Sequence, residues 1–450
     1  MAGATDEAGH VETLAEAMRE KGVRFVRLDW VDNGGVLRGQ AVSAHRIQEA
    51  ASEGVGIVTG VQAIPVHGEG LARGVGIGAV GQVWLVPAPE TIRVLPWEPS
   101  HASVMGAFVT QDGSPWAYCP RAALARAVGQ LADHGLSMQA AFEHEFVLLR
   151  REGQALQHFE ASSYASVHGL DHAAPILDDL AEALESQGVP VETVLKEAGL
   201  SQYEISTVHG TPTEAADRFV TVRESIGAVA ARHGLVGTCL PLVFAPEAGN
   251  GWHIHFSLWR DAQNLTGEGN ALGATARAFV AGVLAHLPAL LALTTPSTNS
   301  FRRLRPGAWC GAYRAWGYDH KEVPLRVPTR RVGAPTNVEL KSSDATANPY
   351  LSLTGLITAG LDGVSRGLTL PEPIDRDPQE LSEDERRQAG IEPLPGSLAE
   401  ALELFERDEA LQGILGPELT QAYVAVKRQE IAVLADLELA DEVGRLVEVY

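Results

Sequence analysis

Cysteine is scarce: Cys119, Cys239 and Cys310 are the only three in 450 residues, far apart and with no CxxC pair. That spacing signals neither a disulfide framework nor a thiolate zinc site. Basic residues are outnumbered, 35 against 57 acidic, for a net charge of −22. A surface of that sign disfavours nucleic acid or an anionic membrane as a partner. The longest apolar run, 278–293, carries His286 and Pro288 and is too short to span a bilayer, so it is expected as a core helix. The opening MAGATDEAGHVETLAEAM is acidic and lacks the charged-then-apolar order of a secretion signal. A soluble, cytoplasmic protein is expected. There is no GxxxxGKS/T loop, and the one GxGxxG match, Gly76–Gly81, runs into QVWLVP (Gln82–Pro87). Those residues read as a strand, whereas a dinucleotide fingerprint must open a helix, so the match is rejected.

What is present reads as a folded protein of two unequal domains, at 20% charged and 45% hydrophobic residues. Residues 23–31 read as a strand that turns at Gly34-Gly35 into a second near 37–42, a hairpin with Asp32 at the turn. A helix is expected before it, over Thr13–Lys21, and short strands with glycine-rich turns over 55–96. The division between domains is placed near residue 110, giving 1–110 and 111–450. Beyond it, helices are expected from Pro120 to about His134, over Pro175–Gln187, and from the Thr211–Glu214 capping box to about His233. A strand is expected over Val189–Glu192. The stretches Thr294–Ala312 and Glu372–Gln388 read as loops, Ser397–Glu400 as the capping box of another helix, and Thr420–Val447 as a helix or pair.

The chemistry sits in three strand-like segments. QAAFEHEFVLLR (Gln139–Arg150) alternates, putting Glu143 and Glu145 on one face and His144, Phe146 and Leu148 on the other. Two carboxylates about 7 Å apart on so apolar a strand repel each other unless a cation sits between them. Gly249–Trp259 puts His253, His255 and Ser257 on one face, and Asn337–Lys341 does so with Asn337, Glu339 and Lys341. Lys196–Ser206 adds Glu197 and Glu204. Oxygen donors with a single imidazole suit Mg²⁺ or Mn²⁺, and five carboxylates are more than one such ion needs. Arg302, Arg303 and Arg305, with Arg326, Arg330 and Arg331 further on, could meet an anion. The residues alone stop at a multi-metal site handling phosphate.

In order along the chain, FEHEF, QYEI, NGWHIHFSL, PSTNSFRRLRPG and VELKSSDATANPYL followed by AGLDG resemble the bacterial type of glutamine synthetase. The resemblance implies an α+β fold: a small N-terminal β-grasp domain, and a larger catalytic domain whose curved antiparallel sheet is flanked by helices. It implies a homo-oligomeric ring, often of twelve subunits, with sites shared between neighbours. By motif position, Glu145, Glu197 and Glu204 match the ligands of one metal, and Glu143, His253 and Glu339 those of the other. Glu192, His255, Ser257, Lys321 and Arg326 match positions around ATP. Arg303, with Gly249, Lys341 and Glu145, matches the surroundings of the acid substrate, and Asp32 the acid that deprotonates the amine in a neighbouring subunit's site. The implied reaction moves the γ-phosphoryl of ATP to a carboxylate, and an amine then displaces phosphate.

Departures from the family pattern lie on the amine and acid side. The glutamate that holds ammonium falls on Trp309, whose indole takes no proton but stacks on organic cations. The glycine-loop asparagine falls on Ala248, one substrate arginine on Lys341, and two phosphate arginines on Lys321 and Asn337. The tyrosine that some bacterial enzymes adenylylate has no counterpart in PIDRDPQELSEDE. The resemblance therefore implies a subgroup ligating glutamate to larger amines, giving γ-glutamyl amides. Authentic glutamine synthetase, a ligase for another acid, and a non-catalytic homologue remain alternatives.

Overall fold

The computed structural model describes Met18 and residues 20–450. The helix expected over Thr13–Lys21 lies, apart from its last turn, outside the described residues. In the first domain six strands form a mixed sheet: β1 (Phe25–Val31), β2 (Leu37–Ser43), β3 (Val55–Val58), β4 (Gln82–Pro87), β5 (Arg93–Leu95) and β6 (Glu98–Val109). Their order is β2-β1-β6-β4-β3, with β5 beside β6. β1 and β6 run parallel and the other pairs antiparallel. Helix α1 (Ile47–Glu53) packs on β4. Alternate residues Val26, Leu28 and Trp30 of β1 meet Leu85, Val104 and Phe108 in this domain's core. Trp30, Phe108 and Trp116 stack edge to face at 5.6 Å, so the chain stays tied to this core until α2 (Pro120–Asp133) opens. Gly76–Gly81 is a turn leading into β4, in keeping with its rejection as a nucleotide loop.

The larger domain is built on a ten-stranded sheet around β7 (Ser137–Glu152). Its other strands are β8 (Ala155–His158), β9 (Val191–Lys196), β10 (Gln202–Thr207), β11 (Val236–Thr238), β12 (Ile254–Arg260) and β13 (Gln263–Asn264). After the small ribbon β14 (Gly267–Glu268) and β15 (Ala271–Leu272) come β16 (Trp316–Tyr318), β17 (Leu325–Val327) and β18 (Val338–Leu340). The main path runs β16-β17-β18-β12-β7-β10-β9, antiparallel except between β16 and β17. Along β7 the expected alternation holds. Phe142, His144, Phe146 and Leu148 are buried, while Glu143 is half-buried on the opposite face with Glu145. Behind the sheet, Phe142 and Trp252 pack on Phe219 of α4 (Pro212–Arg232), which follows α3 (Val167–Ser186) in the chain. Each such buried aromatic contributes about 1.5–3 kcal/mol, which holds the polar face of β7 in place.

The long apolar helix α5 (Ala274–Thr294) is, among the described residues, the one helix long and apolar enough to cross a membrane. It is mostly buried and packs as a core helix against α7 (Pro349–Arg366), which comes after the short α6 (Thr298–Arg303). A Cβ on Gly282 would lie 2.2 Å from the Ala359 carbonyl oxygen, so this crossing requires glycine. The chain closes with α8 (Glu383–Ala389), α9 (Leu398–Phe405), α10 (Glu409–Leu415), α11 (Pro417–Leu434) and α12 (Leu439–Leu446).

Several boundaries differ from the sequence expectation. Helix α3 begins at Val167, capped by Ser166, with Pro175 inside it. Burial of Ala173, Ile176, Leu177 and Leu180 offsets the interior proline, which costs about 3 kcal/mol. The strand expected over Val189–Glu192 is shifted to Val191–Lys196 because it must pair with β10. The two supposed loops each hold a short helix: α6, whose cap is the reciprocal Ser297–Ser300 pair, and α8, capped by Ser382. The strand expected from Gly249 begins at Ile254. A Cβ on Gly249 would lie 2.2 Å from the Pro241 carbonyl, and that close packing replaces strand pairing.

Candidate active site

Cross-strand register assembles the acids. β10 runs antiparallel to β7 with Glu204 directly opposite Glu145. On the other side β12 pairs with β18 so that His255 faces Glu339, and β17 sets Arg326 opposite Glu339. His253, one residue before β12, puts Nδ1 3.2 Å from both Glu143 Oε2 and Glu339 Oε1. His255 Nε2 lies 3.0 Å from Glu143 Oε1, and Glu143, His255 and Glu339 each offer a donor atom within 4.8 Å of the others. His255, expected only beside the nucleotide, thus also touches the metal-type cluster. Arg326 Nη1 donates to Glu339 Oε2 at 2.8 Å and Lys341 Nζ to Oε1 at 3.3 Å.

Glu145 Oε2 accepts from Gly251 N at 2.8 Å and from Gln202 Nε2 at 3.1 Å. Gln202 also donates to the Gly249 carbonyl and Asn250, so it ties the glycine loop to the acids. It was missed by the sequence reading, although it stands two residues before Glu204 on the same strand face. Gly251 is held against the same site: a Cβ there would lie 2.3 Å from His253 Nε2. Arg303 is buried, with Nη2 3.1 Å from His253 Nε2. A guanidinium only donates, so Nε2 accepts and the imidazole proton sits on Nδ1, toward the carboxylates.

The two halves of the cluster differ in charge balance. Burial opposes ionisation of Glu143, but His255 and His253 hold its carboxyl well below the usual range. Burial likewise opposes ionisation of Glu339, and Lys341 with both histidines holds it low. On the other half, burial and then Glu143, Glu145, Glu197 and Glu339 push Glu204 up to about 9. Burial and Glu145 raise Glu197 as well. Two like charges 4 Å apart repel by about 4 kcal/mol in a partly buried setting. Glu145, Glu197 and Glu204 therefore form a set of oxygen donors short of positive charge, which fits a hard divalent cation. Burial lowers the His255 imidazole, yet Glu143 and Glu339 raise it further, to about 9.

Two cavities meet at Glu143. One, about 300 Å³, is lined by Glu143, Glu145, Glu197, Glu204, His253 and Arg303, with the exposed Trp309 and Lys321 toward its mouth and Gly249 and the buried Lys341 in its wall. The other, about 590 Å³, lies across β7 and β12 and is lined by Glu143, Glu192, His255, Ser257, His209 and Arg330. Ser257 Oγ accepts from Trp259 Nε1 at 2.9 Å. Trp309 is 54% exposed, and its backbone sits at φ +54°, in the left-handed region. Glu322, itself buried, holds that loop by accepting from the backbone N–H groups of Trp309 at 3.0 Å and Gly307 at 3.3 Å. A larger cavity of about 680 Å³, beside His286 and Asp408, holds none of these acids.

Asp32 stands apart. It lines neither cavity, is fully buried in its own chain, and accepts from Arg38 Nε at 2.7 Å and Val36 N at 2.9 Å. Its turn is pinned to the larger domain: Arg223 Nη2 donates to the Gly35 carbonyl and Asn348 Nδ2 to the Val31 and Asp32 carbonyls. Arg326 reaches the cluster through Glu339 and lines neither cavity.

The glutamine synthetase catalytic-domain family model matches residues 117–442, and the glutamine synthetase N-terminal domain model residues 10–116. The chain is 37% identical over 452 residues to a gamma-glutamylpolyamine synthetase of Streptomyces coelicolor, covering 97% of this chain and 96% of the relative. It is 30% identical over 455 residues to type-1 glutamine synthetase 1 of Dictyostelium discoideum, covering 95% and 90%. Among solved structures, a novel glutamine synthase homologue superposes with TM-score 0.83 at 34% identity, covering 95% of this chain and 99% of the other. A GmaS/ADP complex does so with TM-score 0.83 at 28% identity, covering 94% and 97%. Fold, cluster and matches agree: the chain belongs to the glutamine synthetase family of ATP-dependent, divalent-metal-using, amide-forming ligases.

Proposed function

We propose that this enzyme joins the γ-carboxylate of glutamate to an organic amine rather than to ammonia. The observation that carries the reading is Trp309: an exposed indole at the mouth of the acidic cavity, on a loop that Glu322 locks in place. The matched gamma-glutamylpolyamine synthetase supports it.

In this reading Glu145, Glu197 and Glu204 would hold one Mg²⁺ or Mn²⁺ ion and Glu143, His253 and Glu339 a second. Such ions would supply positive charge to offset that on the transferred phosphoryl group and its acceptor. ATP occupies the cavity bearing Glu192, His255 and Ser257. Arg303 and Lys341 bind the acid in the neighbouring cavity, beside Gly249. An oxygen of that carboxylate takes the γ-phosphoryl in line as its bond to the β-phosphate breaks, giving an acyl phosphate and ADP. Lys321 at the rim and Arg326, acting through Glu339, steady the anionic groups. The amine, deprotonated by Asp32 of an adjacent subunit in a ring, attacks the acyl carbon, and phosphate leaves. A division at residue 110, a homo-oligomeric ring of twelve subunits, and a cytoplasmic location with small-molecule partners complete the reading.

Lys341 in place of an arginine favours a second reading, in which the acid is not glutamate, because an ammonium lacks the bidentate fork for a carboxylate. One experiment separates them: phosphate release from ATP with Mg²⁺ or Mn²⁺, across a panel of acids and amines. Release with glutamate and organic amines, abolished by a chelator, is expected. Turnover with ammonia alone would overturn the organic-amine reading, and turnover only with another acid would replace glutamate.

A further inference from the structure

The acidic cavity contains a carboxylate that the ligase chemistry leaves unused. Glu247 lines it beside Ala248 and Pro246, half-buried and distinct from the acids assigned to metal. The residue is built in rather than adrift. His158 Nε2 lies 2.9 Å from Glu247 Oε1, and Arg305 Nη2 donates to the carbonyls of Glu247 at 2.7 Å and Pro246 at 2.8 Å. Among the described residues, Oε2 has no hydrogen-bonding partner. Two aromatic rings complete the setting. Trp309 and Tyr164, 54% and 50% exposed, line the same cavity, and a large ring left half in water on a folded surface asks for a partner.

A carboxylate with a free oxygen, near two open aromatic faces, is a receptor for an alkylammonium group: charge to charge, methylenes to rings. The reacting nitrogen has its own acceptor in the proposed reaction, Asp32 of the adjacent subunit, to which it gives its proton before attack. An apolar amine tail would gain nothing from a carboxylate, which would lose hydration against it. We infer that Glu247 seats a second ammonium, so that the preferred amines are diamines or longer polyamines read at their far end between Trp309 and Tyr164. The assignment rests on the amide-forming reading above, which Glu247 does not otherwise enter.

The test compares kcat/KM for 1,4-diaminobutane with that for butylamine, with ATP, glutamate and Mg²⁺, in wild type, Glu247→Gln and Glu247→Lys. The wild type is expected to prefer the diamine. Glu247→Gln lowers the diamine-to-monoamine ratio about tenfold, through KM for the diamine, since a charge-assisted contact is lost. Glu247→Lys lowers it further by repulsion. KM for glutamate in the same assays reports whether the cavity is intact. A ratio unchanged in both variants, or equal losses on both amines, overturns the assignment. A wild type that releases no phosphate with either amine overturns the ligase reading and this one with it.

Discussion

At the residue scale, Trp309 carries the proposed preference for an organic amine. An indole can neither bind ammonium by charge nor take its proton, but it offers a broad face to an organic amine. Its left-handed backbone is costly for a residue with a Cβ, by about 1–3 kcal/mol, and the two N–H bonds to Glu322 offset that cost. We expect Trp309→Glu to raise the kcat/KM ratio of ammonia to bulky amines about tenfold, measured by phosphate release. An unchanged ratio would mean the indole does not line the amine site. That a tryptophan replaces the acid was legible in PGAWCGA. That its loop hangs on Glu322 was not, since nothing in a local pattern marks a buried glutamate as an anchor.

Between elements, one half-buried imidazole joins three helices. His286 of α5 contacts Asp408, the N-cap of α10, at 2.6 Å and Asp362 of α7 at 3.0 Å, and Arg366 also pairs with Asp362. The hydrogen bond to Asp408 leads in raising the His286 imidazole above its ordinary value, against burial, with Asp362 adding to it. A histidine raised on folding contributes stability that is full below its unfolded value near 6.5 and lost as pH rises through its folded value. His286→Asn is therefore expected to lower Tm more at pH 6 than at pH 9. Equal losses at both, by thermal melting, would mean the imidazole is neutral in the fold. The sequence reading placed this histidine on a core helix but assigned it no partners, because both aspartates come from distant parts of the chain.

For the whole molecule, the open question is where Asp32 works. Within one chain it is sealed at the seam between domains, paired with Arg38 and held by Arg223 and Asn348 through its turn. Burial raises its carboxyl despite Arg38. In the proposed reading this carboxyl takes the proton of the amine in a neighbouring subunit's site. We expect Asp32→Asn to slow amide formation by about a hundredfold while metal-induced stabilisation, read by thermal shift, is retained. Undiminished amide formation would remove Asp32 from the reaction.

Read alone, the chain disclosed the chemistry of its parts. The alternation along Gln139–Arg150 set which side chains share a face of a strand, and the capping residues at Thr211–Glu214 set where a helix begins, since both depend on neighbours a few positions away. The tertiary structure decided how those faces meet. Antiparallel register put Glu204 opposite Glu145 and Arg326 opposite Glu339 and drew His255 into the acidic cluster, while the loop bearing Glu247 came to share a cavity with two exposed rings. It also tied the Asp32 turn to Arg223 and Asn348 and carried α3 through Pro175. Such outcomes turn on pairing and burial between segments remote in the chain, which no window of local residues contains.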